Sequence, residues 1–227
     1  MFQTTARINR CYYADECDIY LIYGPLGFGK SSYALKVLAE LYGSYEKAKE
    51  YIVFHPEDFI NRCLSMSAKG QREKAIVWDD AGYWLFYMKH TDPLVQAVEQ
   101  YFNVARTNWA AIILTTPTPS WVIHKLRYFP QHISIKIIKA NSDLRREKKN
   151  RIAKAYQQWV APDFKHSGVR SRYADTFDAM LPKKFYWEWY KPLRDSYARE
   201  ATENMKRALE QSLKAIGQVP ARLASAT

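Results

Sequence analysis

The chain has 227 residues, long enough for one α/β domain and an appendage. Its 48% hydrophobic and 25% charged residues are ordinary for a globular protein. No apolar run reaches the roughly 18 residues that would suggest a membrane span, and the segment from Met1 to Arg7 lacks the apolar core of a secretory signal. The net charge of +11 is concentrated: residues 136–172 hold 11 Lys or Arg against 3 Asp or Glu. Such a patch points to a polyanion, most simply nucleic acid.

Taken in chain order, residues 18–23 form a short β-prone run ending at Gly24. From Ser31 onward, Ala34, Leu35, Leu38, Leu41 and Tyr42 keep the spacing of one helix face. Residues 51–54 read as a second strand, followed by a helix from His55-Pro56 to about Ser65. Residues 75–78 read as a third strand, with Asp79 and Asp80 at its end. Thr91-Asp92-Pro93 is a cap-and-proline helix start, with Leu94, Val95, Val98, Phe102 and Ala105 at helical spacing. Residues 109–114 are a fourth, buried-looking strand running into Thr115-Thr116-Pro117. A short helix over 120–128 and a fifth strand over 133–138 complete a core. Strands that alternate with helices and read as continuous apolar runs predict a parallel sheet covered on both faces. Residues 1–140 are therefore the core and 141–227 a basic linker, a weakly signalled hairpin over 151–178, and a C-terminal helix from Pro182 kinked at Pro192.

Chemistry is concentrated between strand and helix. Gly24-Pro25-Leu26-Gly27-Phe28-Gly29-Lys30-Ser31 fits the phosphate-binding loop G-x-x-x-x-G-K-[ST], here with Ser32 after it. Glycines let the backbone curl so that several N–H groups face a phosphate chain at a helix N-terminus. Lys30 is expected on the β- and γ-phosphates of ATP and the Ser31 hydroxyl on Mg²⁺. Asp79 is the expected second Mg²⁺-side acid, and Asp80 the group that orients an attacking water. A Glu is usual at that second position, so the shorter Asp80 leaves the vigour of hydrolysis open. About 48 residues and the strand at 51–54 lie between Lys30 and Asp79, as in motor-type ATPases. Thr115 or Thr116 at the next strand end is a candidate γ-phosphate sensor. Arg106 and Arg127, each near a helix end, are candidate arginine fingers toward a neighbouring subunit or simple helix-terminal cations.

Other features carry less. The aromatic run 185–190 more often docks a helix than stacks bases. Five histidines, His55, His90, His124, His132 and His166, show no ligand spacing. Cys11, Cys17 and Cys63 are an odd set without metal spacing, so a reduced cytoplasmic protein is expected, with free thiols favoured over a Cys11–Cys17 bridge.

Three stretches together carry a family likeness: residues 24–37, the run Val77-Trp78-Asp79-Asp80-Ala81-Gly82-Tyr83-Trp84-Leu85, and residues 106–119 with Thr115-Thr116-Pro117-Thr118-Pro119. They resemble the P-loop ATPases of spindle-shaped viruses and related plasmids of thermophilic crenarchaea, proteins described as similar to the AAA+ replication initiator class. A weaker likeness is to filamentous-phage assembly ATPases of the zonula-occludens-toxin type. The resemblance covers roughly residues 17–140. It implies a P-loop NTPase fold; the residues themselves predict the α/β class, a five-stranded parallel sheet with helices on both faces, and a basic C-terminal helical appendage that resembles the family only loosely. It also implies a homo-oligomeric ATPase of a virus or mobile element that acts on DNA in the host cytoplasm. The alternatives are a virion-assembly or packaging ATPase with a protein partner, and a weakly hydrolysing ATP-dependent switch.

Overall fold

The computed structural model describes residues 1–86, 91–122, 132–140, 150–160 and 167–215. The chain divides into two units, Met1–Met180 and Leu181–Thr227.

The first unit is organised by a sheet. β1 (Asp18–Tyr23), β2 (Ile52–Val53), β3 (Ile76–Trp78), β4 (Ala111–Thr116) and β5 (His132–Lys139) pair in parallel in the order β2-β3-β4-β1-β5. At its centre Tyr20 lies opposite both Ile113 and Ile133. β3 and β4 are buried at every position, which is why they read as unbroken apolar runs instead of alternating ones.

Two helical layers cover this sheet. On one face α4 (Pro56–Lys69) and α6 (Pro93–Phe102) bring Phe59, Met66 and Val98 onto Ile19, Trp78, Ile112 and Leu114. Trp78 and Trp109 are fully buried in this layer. Removing each such side chain from water contributes on the order of 2–3 kcal/mol. On the other face lie α2 (Lys30–Tyr42) and α1 (Gln3–Tyr13), which pack on each other and on the sheet. Short helices α3 (Tyr45–Ala48) and α5 (Ala81–Trp84) follow α2 and β3.

The sheet has seven strands, not five. β6 (Asn150–Val160) and β7 (Ser167–Asp178) form an antiparallel hairpin joined to β5, in register from Ile133 opposite Gln157 to Lys139 opposite Arg151. The boundary expected near residue 140 thus falls inside the sheet, and most of the basic segment is strand. The physical reason is the β5 edge: Ile133, Ile135 and Ile137 are completely buried there, beside Ala153 and Ala155 of β6. A register shift at Ala155/Tyr156 bends the hairpin.

Smaller differences have local causes. α1 was not legible, because two of its four buried positions are threonines, Thr4 and Thr5, beside Ile8 and Cys11. α6 stops at Phe102 and a 3₁₀ turn takes over at Ala105–Thr107. β4 starts two residues later than expected, at Ala111. Of the helix expected over 120–128, the described part is the 3₁₀ turn Pro119–Trp121. All three cysteines are free and buried, and burial pushes the Cys11 and Cys17 thiols up to about 12.

The second unit is helical: α7 (Lys183–Phe185), a π turn over Tyr186–Tyr190, and α8 (Lys191–Ala215). Pro192 has no N–H to give the Glu188 carbonyl, and its ring crowds that carbonyl. The wide π turn at this spot loosens the ladder and accommodates the ring. Among the described residues no helix is long and apolar enough to cross a membrane.

Candidate phosphate site

β1 delivers the chain to the loop at Gly24, whose N–H donates to Pro117 O at 3.2 Å. Two glycines here are required by space and conformation. Gly24 has φ +150°, and a Cβ on it would stand 2.8 Å from Ile137 O. Gly29 caps α2 at φ +93°, where a Cβ would meet Ala179 Cβ at 2.6 Å. The loop is therefore shaped by β5 and by the end of β7 as well as by its own sequence.

Lys30 is the first residue of α2 and only 6% exposed. Its ammonium donates to Gly24 O at 2.9 Å and Pro25 O at 3.2 Å, folding back across the loop. These are neutral acceptors, and phosphate oxygens are stronger ones for the same charge.

Behind Lys30 a single oxygen joins three elements. Asp79 Oδ1 accepts from Ser31 Oγ at 2.8 Å and from Thr115 Oγ1 at 2.6 Å. Thr115 Oγ1 in turn accepts the Asp80 N–H at 2.8 Å, and the Asp79 N–H is held by Val53 O. The arrangement follows from strand order. β4 lies between β1 and β3, so Thr115 stands between the phosphate loop and Asp79. The strand at 51–54, expected to separate the two motifs, is instead the edge strand β2.

The donor set fits Mg²⁺. A hydroxyl and a carboxylate oxygen are hard ligands, and neighbouring ligands of an octahedral Mg²⁺ at 2.0–2.1 Å are about 2.9 Å apart. Ser31 Oγ and Asp79 Oδ1 already stand 2.8 Å apart.

The remaining candidates are less close to that pair. Asp80 follows Asp79 in a left-handed conformation, φ +52°, and is half-buried. Asp tolerates this region better than most residues, at a cost of order 1 kcal/mol. Thr116 Oγ1 donates to Thr118 O at 3.0 Å, and a Cβ on Gly82 would collide with it at 2.4 Å. Both threonine hydroxyls are thus engaged: Thr115 with Asp79, Thr116 with its own turn. Arg106 precedes β4 at the N-terminal edge of the strands, opposite the loop, largely exposed and 3.8 Å from Asp15 Oδ2. That position excludes action on its own chain's phosphate loop. Arg127 lies outside the described residues, as do Lys or Arg at 145, 146, 148, 149 and 165 of the basic segment.

Sequence reasoning missed Arg151. It sits in β6, is 5% exposed, and its Nε donates to Phe28 O at 3.2 Å. Its guanidinium lies 5.7 Å from the Phe28 ring, and Lys139 Nζ lies 5.4 Å from that ring, within cation–π reach. Nothing local marks Arg151, one cation within a charged run. The pairing of β6 with β5 brings it to the loop. A second missed group braces α2 from behind. Tyr33 OH donates to Asp175 Oδ2 at 2.5 Å, and Asp175 also accepts the Gln3 and Thr4 N–H groups that open α1. Thr4 Oγ1 lies 2.7 Å from Tyr33 OH and 3.0 Å from Tyr173 OH. Burial, with the Asp175 charge adding to it, raises the Tyr33 hydroxyl pKa well above the phenol range.

No family model matches the chain. An uncharacterized protein of the Acidianus two-tailed virus, ORF286, is 29% identical over 63% of this chain and 49% of its own length. The uncharacterized protein B-251 of Sulfolobus spindle-shape virus 1 is 28% identical over 47% of this chain and 46% of its own. The chain thus spans about half the length of the curated relatives it matches, both from archaeal viruses. Among solved structures, the N-terminal domain of zonular occludens toxin from Neisseria meningitidis aligns with TM-score 0.45 and 16% identity, over 75% of this chain and 97% of that domain. A KaiC-like protein of Pyrococcus horikoshii OT3 aligns with TM-score 0.38 and 16% identity, over 68% of this chain and 89% of the other.

Proposed function

We propose that the chain is a viral P-loop nucleoside triphosphatase. The observation that carries this reading is the 2.8 Å pair of Ser31 Oγ and Asp79 Oδ1 beside the buried Lys30. ATP is held along residues 24–31, with loop N–H groups and Lys30 on its phosphates. Bound Mg²⁺ supplies charge neutralisation of the phosphates, and Ser31 and Asp79 hold it. Thr115 orients the Asp79 carboxylate, and Asp80 stands next to it as the group to position water. Arg151 holds the Phe28 carbonyl of the loop. The test is ATP turnover with and without Mg²⁺, wild type beside Lys30→Ala and Asp80→Asn. Equal rates for wild type and Lys30→Ala would end the enzyme reading. A wild type that binds ATP tightly yet turns over no faster than Asp80→Asn would favour a nucleotide-dependent switch.

The finer reading is action on DNA by a homo-oligomer, in replication or genome handling. It is supported by exposed Lys136, Lys139, Lys154, Arg170 and Arg172 on the β5–β7 part of the sheet. Affinity for DNA that falls steeply with salt is expected; a flat response would sink this part while leaving the ATPase reading intact.

A further inference from the structure

α1 and β7 enclose a cleft of about 300 Å³. Gln3, Arg7 and Arg10 line it from one face of α1, and Ser171, Arg172 and Tyr173 from β7. No carboxylate is among the described lining residues. Arg7 is held by Asp18 through bonds of 2.5 and 3.1 Å, which occupy two of its five N–H donors. The Arg10 and Arg172 side chains are exposed and make no hydrogen bond or ion pair with described residues.

The two acids that bond lining residues, Asp18 and Asp175, are already committed. Asp18, 3% exposed, also accepts from Tyr20 OH and Cys11 Sγ. Asp175 serves Tyr33 and the first N–H groups of α1. Folding therefore brings Arg10 and Arg172 beside the Asp18-paired Arg7 in one concavity, with no described acid paired to either of the two. Like charges held together repel, and an anion between them removes that cost. Guanidinium groups present paired donors that match phosphate oxygens, and the Ser171 hydroxyl adds another. The space admits a phosphate with the sugar attached to it.

We infer that this cleft binds phosphate groups, those of a nucleic-acid backbone in the first place. The choice of nucleic acid rests on the DNA reading above, since Arg172 belongs to the same basic segment. The phosphate chemistry rests on the cleft itself. The cleft adds α1 to the DNA surface, a helix outside the basic segment.

The test compares the full chain with the double variant Arg10→Gln/Arg172→Gln. Both residues are exposed, so the part-buried Arg7–Asp18 pair survives, and an unchanged melting temperature verifies the fold. One arm measures anisotropy of a labelled DNA oligonucleotide across a salt series. The expected result is about tenfold weaker binding at fixed salt and a log–log salt slope smaller by about 2, one for each lost contact. The other arm measures thermal stabilisation by inorganic phosphate at constant ionic strength. Stabilisation of wild type that the variant loses, with DNA binding unchanged, assigns the cleft to free phosphate compounds. If the variant matches wild type in both arms, the cleft proposal is overturned, while salt-dependent DNA binding common to both keeps the broader DNA reading. If wild type binds no DNA, the DNA reading fails and the phosphate arm alone decides the cleft.

Discussion

Tyr33 donates a 2.5 Å hydrogen bond to Asp175 across 142 residues of chain. The bond joins the helix that begins with Lys30 and Ser31 to the outermost strand of the sheet. Asp175→Ala would leave Tyr33 OH and the N–H groups of Gln3 and Thr4 without their acceptor, in a nearly dry setting. A loss of roughly 2–4 kcal/mol in unfolding free energy is expected. Tyr33→Phe removes one of these bonds and costs less, about 1 kcal/mol. A double-mutant cycle by urea unfolding gives their coupling, and additive losses would show that the bond carries no stability of its own.

Thr115→Val keeps the shape of a fully buried side chain but removes the donor to Asp79 and the acceptor of the Asp80 N–H. Groups that orient a metal ligand typically change metal affinity 10–100-fold. Turnover titrated with Mg²⁺ should therefore need about tenfold more metal in the variant, while nucleotide affinity without metal stays put. An unchanged Mg²⁺ midpoint would remove Thr115 from the metal's support.

Arg151 reaches the phosphate loop through Phe28. Arg151→Ala should raise the KM for ATP several-fold with kcat little changed, since the loop's shape is affected and not the reacting groups. Steady-state kinetics beside the thermal midpoint separates this from general unfolding. A fall in kcat at constant KM would contradict the positioning role.

His132 begins β5, 4% exposed, with Nε2 2.8 Å from Ser134 Oγ. Burial lowers its pKa from 6.5 to about 4. The unfolded chain then binds the proton more readily than the folded one between those values. Stability should be level above about pH 6.5 and decline as pH falls toward 4, by a few kcal/mol in all. Urea midpoints at several pH values, compared with His132→Asn, measure it. A variant with the same acid dependence as wild type would place the loss elsewhere.

Of the parallel strands, β1 to β4 were legible because they are buried at nearly every position, so their sequences carry apolar runs, while β5 was legible from its alternating Ile133, Ile135 and Ile137. The phosphate loop and Asp79 were legible because the spacing of Gly24, Gly29, Lys30 and Ser31 is local. What stayed hidden depends on distant pairing. β6 buries Arg151, Ala153 and Ala155 and β7 only Asp175 and Phe177, and their exposed positions hold lysines and arginines that read as a solvated segment. Arg151 and Asp175 draw their partners from residues 123 and 142 positions away. Thr115 looked like a ligand sensor from its strand end, and strand order alone turns its hydroxyl onto Asp79.

The capping of α1 by Asp175 also bears on how the chain reaches its fold. Thr4 leaves the ribosome 171 residues before the carboxylate that receives its N–H. At about 5–20 residues per second that interval is on the order of ten to thirty seconds. Throughout it the first helix exists without its acceptor, and Tyr33 without the partner that steadies the phosphate-loop helix. Nucleotide presented to the nascent chain would meet an unbraced loop, so ATP binding should be acquired late in synthesis, after β7 has closed the sheet.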